Sequence, residues 1–184
     1  MGKFVFTETG IDGLYVIEPT VFGDNRGYFM ETYHYKEFEA AGLGMNFVQD
    51  NQSKSKKGVL RGLHFQRKNP QGKLVRVISG KVYDVAVDLR QNSSTYGKWH
   101  GVLLSDENKK QFYVPEGFAH GFLVVSETAE FVYKCTRFYD SQDEGGLLWD
   151  DPALNISWPL DGIDVILSEK DKANPLLKDL PAYF

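Results

Sequence analysis

Cysteine is nearly absent from this chain: Cys135 is the one thiol in 184 residues, so no internal disulfide framework holds the fold. A lone thiol is at home in a reducing compartment. Long apolar runs are missing as well, and no segment approaches the roughly 20 residues needed to cross a bilayer. Met1-Gly2-Lys3-Phe4 leads into short alternating stretches, unlike the apolar centre of a signal peptide. A cytoplasmic protein without a membrane partner is therefore expected. Positive charge is also short: 21 Lys and Arg stand against 25 Asp and Glu, for a formal net charge of −4. That balance supplies no field to attract nucleic acid, so any anionic ligand must be met by a local group of cations. Repeats, low-complexity tracts and linkers are lacking too, and residues 1–184 are read as one domain.

Aromatic residues are abundant, at 14% of the chain, with thirteen Phe and ten Tyr. They favour strands, and Tyr adds a polar tip for pockets and interfaces. Short β-rich runs separated by turn residues fall at Leu14–Ile17, Phe47–Gln49, Val59–Phe65, Lys73–Ile78 and Val82–Leu89. Trp99–Leu104, Gln111–Val114, Gly121–Val125 and Phe131–Arg137 continue the series. Val82, Asp84, Ala86 and Asp88 fall on one face, and Tyr83, Val85, Val87 and Leu89 on the other, as the wall of a barrel or sandwich requires. Ser79-Gly80 reads as a tight hairpin turn. Ser53-Lys54-Ser55-Lys56-Lys57-Gly58 reads as an exposed, solvated loop. Helical signal is confined to Tyr35–Ala41, ended by Gly42, and Ser168–Ala173, with Ser168 as N-cap. The expected class is all-β, a jelly-roll or barrel with a few short helices.

Of four histidines, two lie in runs of interest. His64 follows Arg61 within Val59-Leu60-Arg61-Gly62-Leu63-His64-Phe65-Gln66, and both side chains are costly in an apolar strand unless a lined cavity receives them. A core histidine bonded to backbone is the competing reading. His120 follows a Pro-Gly turn in Pro115-Glu116-Gly117-Phe118-Ala119-His120-Gly121-Phe122 and is carried inward by the next apolar run.

These stretches resemble the cupin superfamily: Gly58, His64 and Gly80 match the frame of its first motif, and Pro115-x-Gly117-x-x-His120 its second. Metal-binding cupins use a His-x-His pair, where this chain has Gln66. Counting back from Gly80 to their glutamate ligand reaches Lys73, which has no lone pair while protonated. The resemblance thus implies a cupin without metal or other cofactor.

A closer resemblance covers nearly the whole chain. Phe22-Gly23-Asp24-Asn25-Arg26-Gly27, Phe47-Val48-Gln49-Asp50-Asn51, Leu60–Gln66, Gly72-Lys73-Leu74-Val75-Arg76, the segment 115–122 and Leu167-Ser168-Glu169-Lys170-Asp171 together resemble the dTDP-4-dehydrorhamnose 3,5-epimerase family. The resemblance implies a cupin-type jelly roll whose N-terminal strand is exchanged in a homodimer. It also implies inversion of carbons 3 and 5 of dTDP-4-dehydro-6-deoxy-glucose through an enolate, on the way to dTDP-L-rhamnose. His64 matches the family's base, a duty that imidazole suits because its unperturbed pKa is about 6.5. Asp171 matches the carboxylate that orients it, Lys73 the cation at the keto oxygen, and Tyr133 the acid on the opposite face. Arg61 is also cationic and close to that oxygen, and His120 matches a hydrogen-bonding partner of the sugar. Arg26 matches a diphosphate contact, Glu31, Gln49 and Asn51 polar contacts to the nucleotide, and Tyr139 and Phe22 packing around thymine. Glu144 and Lys170 also fall at ligand-contact positions. Arg26 and Glu31 would serve the neighbouring subunit's site.

Three other readings share parts of this pattern. An epimerase acting at one carbon, or on another dTDP-keto-sugar, would keep the same barrel and base. A binding module would keep Arg26 and the aromatics without a base and an acid together. A metal-dependent cupin would need ligands in place of Gln66 and Lys73.

Overall fold

The computed structural model describes residues 2–184. The chain forms β1 (Phe4–Glu8), β2 (Tyr15–Pro19), β3 (Val21–Asp24), β4 (Gly27–Met30), β5 (Gln49–Lys56), β6 (Leu60–Gln66) and β7 (Lys73–Ser79). It continues with β8 (Lys81–Asp88), β9 (Trp99–Ser105), β10 (Gln111–Val114), β11 (Phe118–Val124), β12 (Thr128–Cys135) and β13 (Glu144–Gly146). Two short helices, α1 (Tyr35–Ala40) and α2 (Glu169–Lys172), lie where the sequence places them.

The strands make two facing antiparallel sheets, ordered β1-β2-β10-β7-β12-β5 and β13-β6-β11-β8-β9. One apolar cluster draws Val75, Val77, Phe112 and Phe131 from the first sheet and Val82, Ala86, Leu104 and Phe122 from the second, so it fills the space between them. A second cluster covers the other face of the five-stranded sheet. There Leu60, Leu63, Phe65, Val85 and Val87 pack against Leu147, Leu154, Trp158 and the C-terminal segment. The alternation read in 82–89 is thus literal, because β8 is buried on both sides. The result is the expected all-β jelly roll.

Three expectations need correction. Ser79-Gly80 does turn tightly, with Gly80 at φ +79°, but it is no hairpin: β7 pairs with β10 and β12, whereas β8 pairs with β11 and β9. The turn carries the chain from one sheet to the other. Residues 53–56 are strand, not loop, since β5 pairs with β12 from Gln49↔Cys135 to Lys56↔Thr128; the lysines there are solvated, as read. The strand expected at Phe47 begins at Gln49. At the N-terminus, β1 and β2 pair with each other and β2 with β10. The N-terminal element that stands outside both sheets is the β3–β4 hairpin, which exposes Phe22, Tyr28 and Phe29.

Candidate active site

A cavity of about 530 Å³ opens between the sheets, and a second lobe of about 330 Å³ continues from it. Asn51, His64, Lys73 and Tyr133 line both lobes, which makes them one cleft with these four side chains at the junction. His64 comes from β6 in one sheet; Asn51, Lys73 and Tyr133 come from β5, β7 and β12 in the other. The imidazole and the phenol therefore stand on facing walls.

The spacing of Arg61 and His64 sets a local problem. Side chains three apart on a regular strand point to opposite faces, yet both line the cavity. A register shift between β6 and β11 resolves it. Gly62 lies at φ +132°, and a Cβ there would sit 2.6 Å from the Gly121 Cα. This bulge turns Leu60 and Leu63 into the outer cluster and leaves Arg61 and His64 facing inward.

His64 Nε2 lies 2.6 Å from Asp171 Oδ1, with the His64 side chain 31% exposed and that of Asp171 5%. A carboxylate only accepts, so Nε2–H donates and Nδ1 keeps the lone pair. Asp171 is delivered by α2, whose N-cap Ser168 accepts a hydrogen bond from the Asp171 backbone N–H. Burial works to raise the Asp171 pKa, but the hydrogen bond and charge of His64, with further bonds from Ser168 and Gly62, outweigh it and hold the group below its ordinary value.

On the opposite wall, burial pushes the Tyr133 phenol up, with a smaller push from Cys135, while the Arg61 charge pulls down. The phenol thus keeps its proton well above neutrality. Burial drives the Lys73 ammonium down, opposed by Cys135, Asp84 and Glu144. Arg61 Nε donates to Ser55 Oγ at 3.2 Å. His120, register partner of His64, donates through Nε2 to Asp84 Oδ1 at 2.8 Å.

The second lobe is polar. Gln49 bonds Asn51 and the Tyr139 backbone N–H. The Tyr139 hydroxyl donates to Glu144 at 2.7 Å, and Lys170 pairs with the same carboxylate. That bond raises the Tyr139 pKa to about 12. Burial works to raise Glu144, but Lys170 and Tyr139 outweigh it and hold it low.

Eleven of the residues singled out from the sequence thus line one cleft. Phe22, Arg26 and Glu31 do not. Phe22 and Arg26 sit on the β3–β4 hairpin, where Arg26 pairs with Asp24 at 2.5 Å, and Glu31 pairs with Lys3. The sequence reading passed over Asp84, Phe122 and Phe131 as site residues. Asp84 did leave a signal, a carboxylate among the inward-facing apolar positions of β8. The positions of the cupin metal ligands do not suit an ion. Both polar atoms of the Gln66 amide are taken by the Asp140 backbone, and Lys73 brings a competing positive charge.

An imidazole paired with a buried carboxylate and facing a phenol, with Lys73 and Arg61 lining the same cleft of a cupin-type jelly roll, is the equipment of an acid–base isomerase. The family model described as dTDP-4-dehydrorhamnose 3,5-epimerase matches residues 8–179. An epimerase of that name from Methanothermobacter thermautotrophicus is 55% identical over 184 residues, covering 100% of both chains. Its counterpart from Salmonella typhimurium is 55% identical over 175 residues, covering 94% of this chain and 95% of that one. The crystal structure of the Legionella pneumophila dTDP-6-deoxy-D-glucose-3,5-epimerase, in complex with dTDP-4-keto-L-rhamnose, superposes with a TM-score of 0.94. It is 52% identical, with 97% of this chain and 95% of that chain covered. The chain belongs to the dTDP-4-dehydrorhamnose 3,5-epimerase family.

Proposed function

We propose that this chain inverts carbons 3 and 5 of dTDP-4-dehydro-6-deoxy-D-glucose to give dTDP-4-dehydro-L-rhamnose, with His64 as base and Tyr133 as acid. The observation that carries the assignment is the placement of these two groups on facing walls of one cavity. A hydrogen beside a ketone is acidic because its loss leaves an enolate, so the site needs a base, cations at the oxygen and a proton source on the far face. His64 Nδ1 takes the proton, and Asp171 stabilises the imidazolium. Lys73 and Arg61 meet the enolate oxygen, with His120 beside the sugar. Tyr133 delivers its proton to the opposite face at carbon 5 and recovers one from solvent.

Gln49, Asn51, Tyr139, Glu144 and Lys170 line the lobe that takes the dTDP portion. Lys170 and Tyr139 are already oriented through Glu144. Phe22, Arg26 and Glu31 lie outside the cleft of their own chain, which supports their use in the cleft of a second copy within a homodimer. The exposed aromatics of the hairpin favour the same reading. The working unit is one domain, residues 1–184, acting in the cytoplasm with no resident cofactor. Among the described residues no helix is long and apolar enough to cross a membrane.

In deuterated water, the wild-type protein is expected to place deuterium at both carbon 3 and carbon 5 of the substrate, read by NMR. His64→Asn should lower turnover by about 10³-fold while dTDP still binds. Label at one carbon only would reassign the chain to single-carbon epimerisation, and turnover surviving in His64→Asn would remove the assigned base.

A further inference from the structure

Asp84 lies on the inner face of β8 between Val82 and Ala86, with no solvent exposure. One carboxylate oxygen accepts from His120 Nε2 at 2.8 Å. The other, Oδ2, is buried and has no hydrogen-bond partner. A carboxylate in an apolar barrel is strongly disfavoured unless charge and hydrogen bonds compensate it. Half of that compensation is visible in His120, whose ring also stacks on Phe131 with centroids 6.2 Å apart.

Burial pushes the Asp84 carboxyl up, against the charge and hydrogen bond of His120, and Lys73 is the other cation whose charge pulls it back down. Among the described residues Lys73 makes no direct ion pair, although burial works against its ammonium form. The ionisable groups that bear on it are Cys135 from β12, Asp84 from β8 and Glu144 from β13, with His64, Arg61, His120 and Tyr133 lining the same cavity. Glu144 is committed to Lys170 and Tyr139, and the Cys135 thiol is neutral at pH 7 because burial raises it. Asp84 is left as the carboxylate with an oxygen to spare.

We propose that Asp84 is a positioning residue of the epimerase site, fixing His120 through one oxygen and acting through the other as the buried countercharge of Lys73. The inference rests on the epimerase reading above. It gives Lys73 a reason to stay cationic in a desolvated wall before substrate arrives, so the cation is in place when the enolate oxygen develops charge. It also fixes the His120 tautomer: with Nε2–H committed to Asp84, Nδ1 is left as an acceptor toward the sugar.

The test begins with wild-type turnover of dTDP-4-dehydro-6-deoxy-glucose; its absence would overturn the epimerase reading itself. With wild type active, Asp84→Asn should lower kcat by about 30-fold or more with KM changed less than about threefold, as for a group acting mainly in the transition state. Removing the negative charge lowers the Lys73 pKa, so the alkaline limb of the kcat profile should move to lower pH by about one unit or more. Asp84→Glu should recover part of both effects. An Asp84→Asn protein whose kcat per folded molecule and alkaline limb match wild type would overturn the proposal, whatever its Tm. Should that variant not fold, ¹⁵N NMR of the wild-type imidazoles decides: His120 held as the Nε2–H tautomer supports the proposal, and an Nδ1–H tautomer overturns it.

Discussion

At the scale of single residues, the two histidine–aspartate pairs differ in what surrounds them. His64 is partly open to the cavity and its partner is held at a helix start, whereas His120 and Asp84 are both buried. An exposed lone-pair nitrogen backed by a buried carboxylate suits proton abstraction; a buried pair suits fixed polarity. Asp171→Asn keeps a hydrogen-bond acceptor but loses the charge that stabilises the imidazolium, so kcat should fall by about 10²-fold, measured by coupled turnover. The same substitution tests a stability linkage. Because the folded pKa of Asp171 lies below its unfolded value, its contribution is present above about pH 4 and fades as pH falls through the folded value. The Tm difference between pH 7 and pH 3 should be smaller in Asp171→Asn than in wild type. An equal difference would mean the pair does not couple to folding.

The residues themselves were only partly readable in the sequence. Arg61 and His64 suggested a lined cavity, against a backbone-bonded core histidine as the competing reading, because an apolar strand tolerates such side chains only when they are partnered. Tyr133 and Asp171 sent no such message: a tyrosine in a strand and an aspartate among lysines are commonplace, and only their order within a family pattern drew notice. Asp171 gains its meaning from a contact spanning 107 positions of sequence, which no local pattern encodes.

At the scale of elements, β6 shows how one irregularity places two side chains. Gly62 and Gly121 let β6 and β11 approach closely, for a Cβ on Gly121 would lie 2.6 Å from the Arg61 carbonyl oxygen. Gly62→Ala should cost about 3 kcal/mol, lower the Tm by about 10 °C and reduce kcat by about 10²-fold, because Arg61 and His64 can no longer share a face. Thermal melts and steady-state kinetics check both, and a variant with unchanged kcat would separate the bulge from the chemistry. Element periodicity explains what was legible. β8 was legible as a strand and β10 lies at the boundaries expected, since both bury their side chains almost completely. β5 was misread as a loop because it has no apolar face: its inward residues, Asn51, Ser53 and Ser55, border the cavity or its arginine, and its outward ones include Lys54 and Lys56. The Ser79-Gly80 turn looked like a hairpin because local sequence specifies a sharp turn but not which sheet receives the next strand.

At the scale of the whole molecule, the cleft draws on both sheets and on the C-terminal segment, while the β3–β4 hairpin belongs to neither sheet. Arg26, with its Asp24 partner, is exposed on that hairpin. If the hairpin serves a second copy, Arg26→Ala should raise KM about tenfold with little change in kcat, in line with loss of a phosphate contact. With substrate held well below KM, where Arg26→Ala homodimers contribute little, co-refolding Arg26→Ala with His64→Asn should then restore activity toward about a quarter of wild type, because half of the dimers are mixed and in each of these one cleft has both an intact base and an intact arginine. Mixtures that show only the average of the two parents would assign Arg26 to its own chain.

The edge position of β5 joins two requirements in eight residues. A rim strand with unpaired backbone groups invites other chains to add on, and projecting ammonium groups discourage that approach. Here the odd positions furnish hydrophilic lining for a sugar while the even ones keep the rim repellent to strangers. Drift toward greasier residues on one side of this ribbon would change which sugar fits, and on the other side would change whether the protein stays dispersed.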